Sequence, residues 1–147
     1  MVKHQVVRVL NTGLKISIAE ELLDAILEGA RRLYPKEAIL LLRGKKQKNS
    51  IEISDLLVPP LANYGRGFSS LPLYMLPMDF SIVGTAHSHP SGSLMPSHAD
   101  LNHSFGLIIM ITGSPFRNEQ NVAVYNRSGE KLTLQVANPE EISRGKT

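Results

Sequence analysis

The chain has 147 residues, 42% of them apolar and 20% charged, and contains no cysteine, so we expect one folded domain over residues 1–147, without disulfides or thiolate metal ligands. No apolar run approaches the roughly 18 to 20 residues that span a bilayer, and MVKHQVVRVL at the N-terminus lacks a signal-peptide core, which predicts a soluble cytoplasmic protein with no membrane partner. The net charge of +3 is scattered and aromatic residues make up only 5%, which argues against a nucleic-acid partner.

The first predicted elements are a strand and a helix. β-branched residues at 4–10 indicate an opening strand. Apolar residues then recur at helical spacing over 18–33, and Ser17 followed by Glu20 fits a capping box. Pro35 is expected to end this helix.

Two strands and a long insertion are predicted next. The nearly continuous apolar run at 37–43 is typical of a central strand covered on both faces. Residues 50–58 partly alternate and predict its neighbour, joined through the basic segment GKKQK at 44–48. We interpret that segment as a solvated turn; a surface for an acidic partner is the alternative. The proline- and glycine-rich stretch 59–80 predicts an irregular functional insertion.

The second half of the chain predicts more strands and one short helix. Residues 81–89 have strand character and 97–105 can form a short helix. Three further strands are predicted at 106–112, 121–126 and 131–136. Helices and strands are therefore mixed, and we expect an α/β (α+β) domain with a mixed sheet flanked by helices.

The segment HSHPSGSLMPSHAD, residues 87–100, concentrates residues that can bind a metal. His87 and His89 stand two apart at a strand end, so their side chains share a face of the sheet about 6 to 7 Å apart. Ser97 occupies a helix N-cap position, which brings Asp100 into the first helical turn. Two imidazoles and one carboxylate leave the fourth position of a tetrahedral zinc ion open to water, as in a catalytic site.

Each part of this segment also has a simpler interpretation. Ser97 and Asp100 form a capping-box pattern on their own, and a His-x-His pair can be surface histidine in a loop. The combination at the end of an apolar strand favours a metal site over packing alone.

The same segment resembles the JAMM (MPN+) zinc metalloprotease family. HSHPSGSLMPSHAD reproduces the family's pattern of His-x-His-Pro, six residues and Ser-x-x-Asp, and YPKEAILLLRG upstream is similar to its Pro-x-Glu strand. The resemblance covers about residues 14–136. It implies a single JAMM/MPN-type domain with a mixed, curved sheet, similar to cytidine deaminases in fold.

The resemblance also implies roles for five residues. His87, His89 and Asp100 would bind one Zn²⁺ per chain. Glu37 would take the proton of the attacking water and deliver it to the leaving amine, and Ser97 would donate a hydrogen bond to the oxyanion. The choice of Glu37 depends on the resemblance, because periodicity does not distinguish it from other glutamates such as Glu52 or Glu119.

Three neighbouring side chains complete the predictions for this segment. His98 and His103 are not expected to bind the metal. Ser88, between the two histidines, should point to the opposite face of the strand, where it would pack in the core or form a supporting hydrogen bond.

The resemblance implies that the substrate is a ubiquitin-like protein or a conjugate of one. The ubiquitin-like protein would be a small archaeal modifier or a sulfur carrier. The cleaved bond would be the one after a C-terminal Gly-Gly, and the tail that carries it would bind by strand addition. Apolar residues of the insertion could contact the ubiquitin-like body or pack on their own domain: Leu71, Leu73, Tyr74, Met75 and Leu76. Such domains often pair, so the resemblance also allows a homodimer.

Two other functions are compatible with parts of the pattern. A catalytically silent MPN-type scaffold that binds a ubiquitin-like partner would keep the fold, but all five implied site residues are present here. Zinc-dependent base deamination needs a Pro-Cys-x-x-Cys pattern, which a chain without cysteine excludes.

Overall fold

The structure, a computed structural model, describes residues 13–58, 81–102 and 104–138. The predicted strand at 4–10, the insertion with its apolar residues, and His103 lie outside these ranges. Within them no helix is long and apolar enough to cross a membrane. The strands are β1 (Lys15–Ala19), β2 (Ile39–Lys46), β3 (Ser50–Leu57), β4 (Ile82–His89), β5 (Ile108–Gly113), β6 (Val122–Asn126) and β7 (Lys131–Ala137). The helices are α1 (Glu20–Leu33), α2 (His98–Asn102) and a 3-10 turn (Glu119–Asn121).

The strands form one mixed sheet that closes on itself in the order β1-β3-β2-β4-β5-β6-β7. β1 is parallel to both β3 and β7, and β4 is parallel to β5, while the remaining neighbours are antiparallel. The predicted α/β (α+β) class with a mixed sheet and flanking helices is therefore confirmed. β2 lies between β3 and β4, as its apolar run predicts.

The two faces of the sheet are covered by different parts of the chain. α1 buries Leu23, Ile26, Leu27 and Ala30 in the main core, whose strand residues include Ile16, Ile18, Ile51, Ile53, Ile108 and Met110. The other face carries a second cluster, in which Ile109, Ile111, Ala123 and Tyr125 pack against Leu94 and Leu101. Because side chains alternate along a strand, each residue of β4 and β5 belongs to one face or the other.

The structure corrects the predicted start of the first helix. Ser17 lies in β1, where Ile16 and Ile18 point into the core, and the helix begins at Glu20 with Ala19 at its N-cap. Ala19 makes no side-chain cap hydrogen bond, so the predicted capping role of Ser17 is wrong. β1 pairs with a strand on each side, and these long-range hydrogen bonds outweigh the local capping pattern.

The structure also shortens the predicted basic turn. β2 continues through Gly44 to Lys46, so only residues 47–49 connect it to β3. A Cβ at Gly44 would lie 2.0 Å from the backbone oxygen of Glu52, and only glycine permits this close approach. Lys45 and Lys46 are exposed at the strand end.

A second close approach fixes the spacing between β4 and β5, the two strands below the candidate site. A Cβ at Gly84 would lie 2.1 Å from the backbone oxygen of Ile108, so Gly84→Ala must push the strands apart. Overpacking of a core typically costs about 1–3 kcal/mol, and we expect the upper end because the clash is with backbone.

Urea unfolding of both proteins measures this cost. Gly29→Ala in α1 is the matched control, because a Cβ there meets nothing within 4 Å and alanine favours a helix by about 1 kcal/mol. Equal stability of Gly84→Ala and the wild-type protein would contradict the packing described here.

Candidate metal centre

The candidate site lies where β4 ends at an edge of the sheet. His87 pairs in parallel register with Ile111, and His89 pairs with Gly113. Paired residues in neighbouring strands share a face, so both histidines lie on the face covered by the segment that leads into α2. Their side chains are only 4% and 14% exposed, as expected for imidazoles that serve a site rather than a solvated loop.

Asp100 connects the two histidines. Its Oδ1 lies 3.1 Å from His87 Nδ1, and its Oδ2 lies 3.0 Å from His89 Nε2. The Asp100 side chain is 9% exposed, so the carboxylate is held in a largely dry environment. The structure thus brings together the three predicted metal-binding residues.

Ser97 and Asp100 cap the helix reciprocally. The Ser97 hydroxyl accepts a hydrogen bond from the Asp100 amide at 3.0 Å, and the Asp100 carboxylate accepts one from the Ser97 amide at 2.8 Å. The capping interpretation of the motif is therefore confirmed. Capping orients the carboxylate and leaves the Ser97 hydroxyl proton free to be donated, since the cap uses only an acceptor lone pair.

The electrostatics of the site favour an ionised carboxylate. Burial alone would raise the pKa of Asp100, but hydrogen bonds from His87, His89 and the Ser97 amide outweigh it and hold that pKa far below its usual range. The Asp100 hydrogen bond in turn raises the pKa of His89, although burial opposes the shift. The site is built around a negative charge that attracts cations.

Hydrogen bonds behind the histidines fix their ring orientations. His89 Nδ1 donates to the Ser93 carbonyl at 3.0 Å, which leaves Nε2 directed at the centre of the site. His87 Nε2 lies 3.2 Å from the hydroxyl of the fully buried Thr85. The Tyr125 hydroxyl donates to the Leu94 carbonyl at 2.8 Å and holds the loop that follows His89.

Sequence reasoning missed Thr85 and Tyr125 as supports of the site. The sequence signal for Thr85 was a hydroxyl residue two positions before His87 in an otherwise apolar strand, a spacing that places both side chains on one face. Tyr125 lies on a different strand, so no local pattern connects it to the loop after His89.

Glu37 lies just before β2, next to the end of β4. The antiparallel register pairs Ile39 with His87, and the Ser88 amide donates to the Ala38 carbonyl, so the backbone of Ala38, next to Glu37, lies beside the end of β4. The charge of Glu37 also contributes to the raised pKa of His89. By contrast, Glu52 is exposed on β3 opposite Lys45, and Glu119 is exposed in the 3-10 turn.

His87, His89 and Asp100 supply nitrogen and oxygen donors of the kind that zinc prefers. In this structure the three side chains are hydrogen-bonded to one another. Among the described residues no group of three His, Asp or Glu side chains is spread to the geometry of a bound ion. A tetrahedral zinc ion with bonds of 2.0 to 2.1 Å keeps its ligand atoms roughly 3.3 Å apart. The two observed nitrogen–oxygen separations, 3.1 Å for His87 and 3.0 Å for His89, are a few tenths of an ångström shorter than this spacing.

Comparison with known proteins identifies the family. The family described as prokaryotic homologs of the JAB domain matches residues 19–128. The chain belongs to this JAB domain family. A curated relative from Haloferax volcanii, named "Probable metalloprotease", is 33% identical over 128 residues, which cover 82% of this chain and 79% of the relative.

Solved structures of JAB/MPN proteins have the same fold. The crystal structure of a JAB1/MPN domain protein from Archaeoglobus fulgidus is 35% identical, has a TM-score of 0.61 and covers 84% of this chain and 98% of that one. A structure described as JAMM, a metalloprotease-like zinc site in the proteasome and signalosome, is 35% identical with a TM-score of 0.59, covering 84% and 97%. The predicted JAMM/MPN+ family is confirmed.

Proposed function

We propose that this JAB domain protein is a zinc-dependent isopeptidase that cleaves ubiquitin-like proteins or their conjugates after a C-terminal Gly-Gly. His87, His89 and Asp100 would hold one Zn²⁺ per chain, Glu37 would act as the base, and Ser97 would stabilise the oxyanion. The observation that carries the proposal is the bridge from one buried carboxylate to two imidazoles, with Glu37 near enough to His89 for its charge to raise the pKa of that imidazole.

The proposed mechanism uses each of these residues at a separate atom. His87, His89 and Asp100 would hold a zinc ion, which would supply a Lewis acid for the scissile carbonyl and for lowering the pKa of water. The Glu37 carboxylate takes a proton from the attacking water as the new C–O bond forms. Ser97 donates its hydroxyl proton in a hydrogen bond to the substrate oxyanion. Glu37 then gives its proton to the leaving amine as the C–N bond breaks.

The effect of the Ser97 hydroxyl on kcat can be separated from its effect on stability. We expect Ser97→Ala to lower kcat by about 10²- to 10³-fold, the loss typical of one oxyanion donor. Removal of the cap should also cost about 1 kcal/mol of stability. Ser97→Asp retains a capping oxygen without the hydroxyl donor and should restore stability but not kcat; steady-state kinetics and thermal unfolding test both. Full activity of Ser97→Ala would exclude the oxyanion role.

The proposed substrate follows from the family. A Gly-Gly tail can lie extended close to a sheet edge because it carries no side chains beyond Cα. The alternative is a non-catalytic module that binds a ubiquitin-like partner. The ionised Asp100 and the ordered imidazoles support catalysis over that alternative, since binding alone does not require them.

One assay tests the proposal. The full chain, loaded with one equivalent of zinc, is incubated with a ubiquitin-like protein joined through Gly-Gly to a lysine side chain, and with the same fusion carrying Ala-Ala. We expect cleavage after Gly-Gly only, its loss with a chelator and its recovery with zinc. Binding of the ubiquitin-like protein without cleavage, under all these conditions, would favour the scaffold alternative.

A further inference from the structure

Ser88 occupies a distinctive position between the two histidines of β4. His87 and His89 point to the face that carries the candidate metal centre, and Ser88 therefore points to the opposite face, toward the main core. Ser88 is only 2% exposed. A buried hydroxyl at this place needs a hydrogen-bond partner. The mechanism proposed above assigns Ser88 no role.

The partner of Ser88 is the residue that follows the proposed base. The Ser88 hydroxyl oxygen accepts a hydrogen bond from the Ala38 amide at 2.7 Å. The Ser88 amide donates to the Ala38 carbonyl at 3.0 Å. Ala38 precedes β2, so the Ser88 side chain continues the β2–β4 pairing with a contact that a regular ladder would make through a backbone carbonyl.

This contact acts on Glu37 directly. The Ala38 amide nitrogen belongs to the peptide unit that also contains the Glu37 carbonyl, so Ser88 holds the backbone of the proposed base. The main chain of Ser88 connects the two proposed histidine ligands. One residue thus fixes the spacing between the base and the histidines.

We infer that Ser88 is a positioning residue that sets the place of the Glu37 carboxylate relative to His87 and His89. The inference rests on the proposed function for its effect on catalysis, but the hydrogen bond itself can be tested separately. Misplacing a reacting group by about 1 Å can cost roughly 100-fold in rate. Loss of the Ser88 hydroxyl should therefore act on kcat rather than on KM.

A graded series of variants measures this effect. Ser88→Thr keeps the hydroxyl, and a cavity of about 10 Å³ next to Ser88, lined partly by Ala30, Ala38 and Ala86, gives its extra methyl group some space. Ser88→Cys keeps the size but is a weaker acceptor, and Ser88→Ala removes the acceptor. We expect kcat near wild type for Thr, intermediate for Cys and about 10- to 100-fold lower for Ala, with KM unchanged.

Two measurements do not depend on activity. Bound zinc per chain should stay at the wild-type level in all three variants, because the proposed ligands remain. Amide hydrogen exchange of a peptide covering residues 37–40 should increase in the order Ser88→Thr, Ser88→Cys, Ser88→Ala. The increase is expected because the Ala38 amide progressively loses its acceptor. Ser104→Ala is the control: Ser104 is also buried and donates to the Leu101 carbonyl at 3.1 Å, so the variant loses a buried hydroxyl without altering exchange at 37–40 or kcat.

The outcomes separate this inference from the proposed function. If the wild-type protein cleaves nothing while Ser88→Ala raises exchange at 37–40, the structural inference stands and the proposed reaction is wrong. If Glu37 is essential but Ser88→Ala keeps full kcat and wild-type exchange, Ser88 is not a positioning residue. If Ser88→Ala does not fold, the comparison of Ser88→Thr with Ser88→Cys decides. Equal kcat and equal exchange at 37–40 in these two variants would overturn the inference.

Discussion

Glu37→Gln is expected to lower kcat by about 10²- to 10⁴-fold, the contribution typical of a general acid–base residue. The amide has nearly the same shape as the carboxylate but cannot take a proton from water. Bound zinc should remain at the wild-type level, because the proposed ligands are His87, His89 and Asp100. Single-turnover cleavage of a Gly-Gly conjugate, with zinc measured on the same samples, tests both parts.

Glu52→Gln is the matched control for this change. Glu52 is an exposed glutamate on β3, opposite Lys45, and the same substitution there should leave kcat and zinc content unaltered. Cleavage by Glu37→Gln at the wild-type rate, with zinc bound, would show that another group takes the proton. Loss of zinc from Glu37→Gln would instead make Glu37 a ligand or an essential support of the ligands.

The motif of proposed ligands could be recognised in the sequence because its spacing is local. His87 and His89 lie two apart on one strand, and Ser97 and Asp100 lie three apart at a helix start. Strand alternation and helix capping fix these geometries within a few residues. Glu37 was chosen by family resemblance, since its proximity to the end of β4 depends on the pairing of β2 with β4, fifty residues later in the chain.

The errors in the first half of the chain have the same physical origin. Ser17 and Glu20 match a capping box locally, yet Ile16 and Ile18 gain two strand neighbours when the segment extends. Gly44 looks like the start of a turn, yet β3 approaches its backbone so closely that a glycine is needed inside the strand. In both cases long-range pairing outweighs a local preference.

The supports of the site were partly predictable. The opposite orientation of Ser88 follows from strand alternation, but its partner Ala38 lies just before β2, fifty residues earlier in the chain. Tyr125 holds the loop through a contact that forms only when β4, β5 and β6 are side by side, whereas Thr85 contacts the His87 imidazole within β4 itself. The proposed ligands could therefore be found by motif, whereas the contacts of Ser88 and Tyr125 required the folded sheet.

Asp100→Asn is expected to abolish zinc binding and cleavage together. The carboxylate is the one acidic side chain within hydrogen-bond distance of both histidines in the described part of the chain, and an amide carries no charge to attract the ion. Replacing a group that merely supports a ligand costs 10- to 100-fold in metal affinity or activity, so loss of a ligand should cost more than about 100-fold. Zinc titration followed by calorimetry measures the change.

Thermal unfolding gives a second measurement that does not depend on a substrate. Zinc at about 100 times its Kd should stabilise the wild-type protein by about 2.7 kcal/mol, since a ligand that binds only the folded state stabilises it by mass action. The same zinc should leave Asp100→Asn unchanged. Asp55→Asn is the control, because Asp55 is an exposed carboxylate on β3 that lies 3.9 Å from Arg43, and it should respond to zinc like wild type. A zinc-induced rise in Tm of equal size in Asp100→Asn would mean that the ion binds elsewhere, and the assignment of all three ligands would then fail.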